Sequence, residues 1–194
     1  MGTKSVQKKL YILEVAKKVF IQKGFLTVTM KDIVEACEIS RGGLYLYYNN
    51  TAEIFRDVLK MEASQTDSSM EEKFKEDATA SEILMLFFKA QKAEILAKNG
   101  SLIMAIYEYY SEYKDSPYEN TLQAQFEVGT EIIRTLIEAG IENGEFVCAY
   151  PELEAKNMMY SLEGLKIMAQ TTKMDAAELD SEMAYLLSRI AIEE

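Results

Sequence analysis

The segment ISRGGLYLYYNN, Ile39 to Asn50, sets one arginine, two adjacent glycines and three tyrosines beside each other. Arg41 carries a planar, permanently charged fork of N–H donors that fits a phosphate or the paired acceptors on a guanine edge. Gly42 and Gly43 strip the backbone of side chains. In a helix each costs roughly 1 kcal/mol against alanine, which makes sense where another molecule must come close. Tyr45 and Tyr47 add hydroxyls for phosphate oxygens, and Thr29 and Ser40, each placed to open a helix, would offer free N–H groups to the same anions. Lys31 and Thr51, just inside the neighbouring helix starts, complete a candidate polyanion-binding set.

Such groups act together only on two short helices joined by a tight turn. The spacing of Leu13, Ala16, Val19 and Phe20 predicts a first helix from about Ser5 to Lys23, stopped at Gly24. Thr29 with Asp32 opens the next, whose apolar stripe is Ile33, Val34 and Cys37. Ser40 caps the helix through Tyr47, with Leu44 as its inward residue. Asn50 caps a longer one beginning at Thr51, with Glu53 completing a capping-box-like pair. A helix-turn-helix follows, in which the second helix enters the major groove.

Helices fill the rest of the chain as well. Thr79 with Glu82 opens one reaching about Lys98; Ser101 to Asp115 is another; Ser116 with Pro117 starts a long helix ending near Gly140. Pro151 starts one to about Thr172, and Asp175 with Glu178 caps the last. The fold class is all-α: a three-helix DNA-binding head in residues 1–50 and a larger helical body in residues 51–194.

Charge follows the same partition. The 194 residues carry a net −11, yet residues 1–60 hold ten Lys/Arg against six Asp/Glu. A basic head on an acidic body fits a module that meets a polyanion. The absence of histidine removes the commonest general base and metal ligand, which excludes a triad hydrolase and a Glu-x-x-His di-metal bundle; no metal or cofactor is expected. Cys37 and Cys148 match neither a metal spacing nor a disulfide framework and read as buried apolar side chains. No apolar run is long enough to cross a bilayer and no signal peptide is evident, so the chain reads as cytoplasmic, without a membrane partner.

The run KGFLTVTMKDIVEACEISRGGLYLYYNN resembles the DNA-binding domain of the tetracycline-repressor (TetR) family, through Gly24-Phe25, Thr29, Ile33, Ala36, Ile39 to Gly42 and Tyr45. AGIENGEF at Ala139 to Phe146 and SLEGL at Ser161 to Leu165 resemble that family's ligand-binding and dimerisation domain. The resemblance implies a homodimeric repressor that loses DNA affinity when its body binds a small molecule. Three positions depart from the family pattern. Glu38 stands where glycine is frequent in the turn, Thr51 where a phosphate-contacting lysine is usual, and Tyr48, read as core, where phenylalanine is usual. The first two imply weaker binding, or an operator read mainly through shape and the recognition helix.

In the body, aromatic residues crowd residues 83–126, and YEYYSEY places tyrosines on all sides of one helix. Phe88, Met104, Tyr107, Tyr110, Phe126 and Met159 are the expected walls of a cavity for a small hydrophobic effector. Glu108 would supply the negative charge that suits a cationic one. The last two helices carry Met158, Leu162, Leu165, Met183, Leu186, Leu187 and Ile190, the expected homodimer surface as a four-helix bundle. The helix from Thr51 is the expected link between effector site and head. A helical adaptor using that dimer surface without DNA is the alternative reading.

Overall fold

The computed structural model describes residues 3–70, 78–97, 100–114 and 120–191. Among them lie nine helices: α1 (Thr3–Lys23), α2 (Met30–Ala36), α3 (Arg41–Tyr45), α4 (Thr51–Met70), α5 (Ala80–Ile95), α6 (Ile103–Glu112), α7 (Thr121–Glu142), α8 (Pro151–Thr171) and α9 (Ala176–Ser188). Apart from a single bridge between Phe146 and Ala191, the described residues contain no β-structure.

Most helix starts follow local capping chemistry. Thr29 and Thr79 form reciprocal capping boxes with Asp32 and Glu82, and Asp175 accepts from the amides of Ala177 and Glu178. Asn50 Oδ1 accepts from Glu53 N at 2.9 Å, while the Glu53 carboxylate turns back to the amide of Asn49, one residue earlier than a strict capping box. The expected start of α7 at Ser116 and Pro117 lies outside the described residues; the described helix begins at Thr121, capped by Asn120. The helix expected through Tyr47 closes at Tyr45, because Leu46 already takes the cap position.

The chain forms two compact units, one from the described residues of Met1–Lys73 and Gly100–Tyr118, the other from those of Phe74–Asn99 and Glu119–Glu194. This division follows packing and differs from a cut after residue 50: α4 and α6 both belong with α1 to α3. The first unit's core brings Phe20 of α1, Phe25, Phe55 of α4 and Tyr109 of α6 into one aromatic cluster. Ring centroids lie 4.8 Å apart for Phe20 and Phe55 and 5.0 Å for Phe25 and Tyr109. α6, which the sequence assigns to the body, is thus built into the core of the head by its tyrosines.

The second unit buries Leu84, Phe88 and Ile95 of α5 with Ile133 and Ile137 of α7, Met158 and Leu162 of α8, and Leu179, Met183 and Leu186 of α9. Gly140 leaves room for the Phe146 ring, whose Cδ2 would lie 2.1 Å from a Cβ added there. The turn carrying Phe146 is knotted to three places. Glu145 N and Phe146 N donate to Gly140 O, the Glu145 carboxylate accepts the Ser81 amide at 2.9 Å at the start of α5, and Val147 N donates to Ile190 O. Cys148, expected to be buried, is only half so, packed at the margin of this core.

Candidate nucleic-acid interface

α2 and α3 are joined by a turn whose pivot is Glu38, at φ +53°, the one non-glycine residue with positive φ among those described. Left-handed backbone costs an L-residue roughly 1 kcal/mol or more, so the turn is held by its surroundings rather than by its own preference. Beyond it, Ser40 Oγ accepts from Gly43 N at 3.1 Å and fixes the first turn of α3. Leu44 faces the core, while Arg41, Gly42 and Tyr45 are exposed and Tyr47 is half-buried. Nothing lies within 4 Å of a Cβ built on Gly42, whereas one on Gly43 would press on Ser40 Oγ at 3.1 Å. The two glycines therefore have different reasons: bare surface at Gly42, clearance for the cap at Gly43.

Thr29 and Lys31 sit at the start of α2, but Thr29 is less available than the sequence implies. Its N–H and its hydroxyl both donate to Asp32, at 2.8 and 2.6 Å, and Lys23 reaches the same carboxylate at 2.5 Å. Lys23 first, then Thr29, holds the Asp32 carboxyl far below the usual carboxylate range. Stability drawn from this carboxylate is complete above its ordinary pKa and drains away as pH falls toward the depressed one. An anion approaching this helix start meets a carboxylate already in place. Lys31 is exposed and loosely paired with Glu35 at 3.6 Å; Thr51 lies half-buried at the head of α4.

Behind α3, Tyr48 is buried, as expected of a core position, yet its hydroxyl donates to Asp57 Oδ2 at 3.1 Å. Lys9 reaches Asp57 at 2.7 Å and its ammonium lies 5.4 Å from the centre of the Tyr48 ring. Burial alone would raise the Asp57 carboxyl, but the Lys9 and Tyr48 hydrogen bonds outweigh it and leave it below its ordinary value. Burial, and then Asp57, pushes the Tyr48 phenol upward. The Tyr48 to Asp57 pairing leaves no trace in sequence periodicity, which reports apolar faces and not hydroxyl partners.

The expected effector residues divide between the units. Met104, Tyr107, Glu108 and Tyr110 belong to α6 in the first unit; Phe88, Phe126 and Met159 belong to the second. Glu108 is corrected outright. Its Oε2 accepts from Phe25 N at 2.5 Å and Leu26 N at 3.0 Å, so its charge is spent on the turn after α1. Phe88 and Met159 are core residues at 3% and 4% exposure. Phe126 alone of the set lines the open groove between α7 and α8, about 370 Å³, with Thr130, four glutamates and the cations Arg134 and Lys156. Arg134 is forked between Glu131 and Glu138, and Lys156 pairs with Glu152.

Five of the seven expected dimer residues are corrected by their burial. Met158, Leu162 and Ile190 are fully buried and Met183 and Leu186 nearly so, while Leu165 and Leu187 pack against the same core. The five buried side chains have no surface to give to a second chain, whereas Leu165 and Leu187 are only partly buried and keep some. The exposed apolar residues of these helices are Leu153, Tyr160, Ile167 and Met168 of α8 and Tyr185 of α9, with Gly164 bare between them.

Comparison with known proteins gives this arrangement its context. The sequence pattern described as "Bacterial regulatory proteins, tetR family" matches residues 12–58, and that described as "Tetracyclin repressor-like, C-terminal domain" matches residues 83–180. The uncharacterised HTH-type transcriptional regulator YfiR of Bacillus subtilis is 29% identical over 142 residues, 72% of this chain and 68% of the relative. A second regulator from that organism, YhgD, likewise uncharacterised, is 26% identical over 161 residues, 80% of each chain. Among solved structures, a putative transcriptional regulator from Saccharomonospora viridis in complex with choline shares the fold. Its TM-score is 0.81 at 18% identity, covering 97% of this chain and all of the other. A short helix-turn-helix on a basic head, a larger helical body and two matching family patterns lead to one conclusion: the chain belongs to the TetR family of DNA-binding transcriptional regulators, not to a class of enzymes.

Proposed function

We propose that the chain is a cytoplasmic homodimeric repressor that inserts α3 into the major groove of an inverted-repeat operator and is released by a small hydrophobic effector. The observation that carries this reading is α3 itself, where Arg41 and Tyr45 flank the bare backbone at Gly42 on an exposed face. Ser40, Gly43, Tyr47 and Thr51 lie around it as sugar and phosphate contacts, with Thr29 and Lys31 at the margin. In a dimer the two recognition helices would stand about 34–36 Å apart, one turn of DNA. A footprint on the DNA upstream of the chain's own gene should show two protected half-sites at that separation. A single protected block would reject the two-fold reading.

For the dimer surface we assign the exposed stripe of α8 and α9 in place of the buried residues. Introducing Tyr160→Glu with Ile167→Glu should convert the protein to a folded monomer by light scattering and abolish operator retardation. A double variant that stays dimeric places the interface elsewhere. For the effector, an acid-rich groove and a fold relative that holds choline favour a cationic ligand. A thermal-shift screen in which quaternary ammonium compounds leave the protein unmoved while acyl anions stabilise it would overturn that charge assignment.

Glu38 gives a further test. Glu38 is exposed in the turn that leads into α3, so Glu38→Gly should raise operator affinity several-fold at low salt and less at high salt. Stability should barely move, because relief of the left-handed backbone, roughly 1 kcal/mol, is offset by the freer unfolded chain. An unchanged affinity at low salt would mean that Glu38 is remote from the DNA.

A further inference from the structure

Within α3, Leu44 is the one buried side chain; Gly42 and Gly43 contribute none, and Ser40 secures only the first turn. Packing alone leaves so light an element free to pivot, whereas a side chain reading a base edge must be held to within about 0.5 Å and 10–20°. The missing constraint lies just past the helix. Tyr48 is buried, and its hydroxyl donates to Asp57 on α4 at 3.1 Å. Asp57 also accepts Lys9 of α1 at 2.7 Å, and Lys60 stands 3.8 Å away. The tail of α3, α1 and α4 thus meet at one carboxylate. A phenylalanine at position 48 would keep the packing and lose the direction, because dispersion contacts tolerate small rotations that a hydrogen bond does not.

We infer that Tyr48, Asp57 and Lys9 form a positioning latch that aims the recognition helix, and that Lys9 serves inside the head rather than on a DNA phosphate. None of the three touches a base; they act through the orientation of Arg41 and Tyr45. The inference rests on α3 being the DNA-reading element. It predicts that the latch governs discrimination between sequences, while general affinity for the polyanion, set by surface charge, is left alone.

The test uses the full chain, with the duplex that the wild-type protein selects from a randomised library and a scrambled duplex of equal length. Tyr48→Phe should bind the selected duplex roughly tenfold more weakly and the scrambled one unchanged, with the same salt slope. Asp57→Leu, which keeps the volume and removes the acceptor, should do likewise, and adding Tyr48→Phe to it should cost nothing more. Lys9→Met, at a side chain 43% exposed and so safe for folding, should lower the same ratio. A salt slope reduced by about one in Lys9→Met would put that lysine on a phosphate and overturn the inference. So would a Tyr48→Phe protein with a lowered Tm and an unchanged ratio, which marks an ordinary core residue. A wild-type protein that selects no sequence removes the DNA-reading proposal as well; one that selects, with an unchanged ratio in the variant, removes the latch alone.

Discussion

Glu108→Ala is expected to lower the stability of the first unit by about 2 kcal/mol, a fall in Tm on the order of 10 °C for a unit of this size. The carboxylate accepts two backbone amides, those of Phe25 and Leu26, 83 and 82 residues away. Removing it leaves the part-buried Phe25 amide without that partner. Gly24 stands against the same carboxylate: it has φ +75°, and a Cβ added there would lie 2.6 Å from Glu108 Oε2. Gly24→Ala should therefore cost about 3 kcal/mol, of which roughly 1 is the left-handed backbone and the rest displacement of Glu108. In a Glu108→Ala background the second part has already gone, so Gly24→Ala should then cost only the first. Urea unfolding of the two single variants and the double measures the coupling. Strict additivity would show that Glu108 does not hold the turn.

Arg41→Ala should leave the fold intact and weaken operator binding by roughly 10- to 100-fold, the usual range for losing one bidentate contact. The side chain is exposed and has no partner among the described residues, so its removal opens no cavity and strands no charge. Arg41→Lys separates the two ways in which it could act. If the guanidinium grips a guanine edge, lysine restores charge but not the fork, and affinity stays low with the salt slope nearly unchanged. If it meets a phosphate, lysine restores most of the affinity, and the alanine variant loses about one unit of slope. Full retardation of the operator by Arg41→Ala would end the assignment of α3 as the reading helix.

The sequence reveals features set within one turn of helix. Thr29 with Asp32, Ser40 with Gly43, Thr79 with Glu82 and Asp175 with Glu178 each pair across three residues, so residue type and spacing suffice. The left-handed backbone at Glu38 is not legible from residue type, since glutamate disfavours it; only the glycine usual at this place in the resembled family points there. Choices of neighbour are not legible. Periodicity marks Met158, Leu162 and Leu186 as apolar, but only the fold reveals that they already share one core with the apolar residues of α5 and α7. Likewise YEYYSEY reads equally well as cavity wall or as surface, until Tyr109 is found among Phe25 and Phe55. The role of Glu108 is hidden in the sequence because a carboxylate beside tyrosines looks the same whether it awaits a cation or answers a distant pair of amides.

The bend between α7 and α8 has a practical implication. A connection between two helices is normally the natural place to insert a tag, a reporter or a new terminus. Here Glu145 serves the start of α5, Phe146 fills the hollow over Gly140, and Val147 clasps the chain beyond α9. Lengthening residues 143–149 would slacken three helices at once. Engineers fusing a sensor to this regulator should leave that corner uncut.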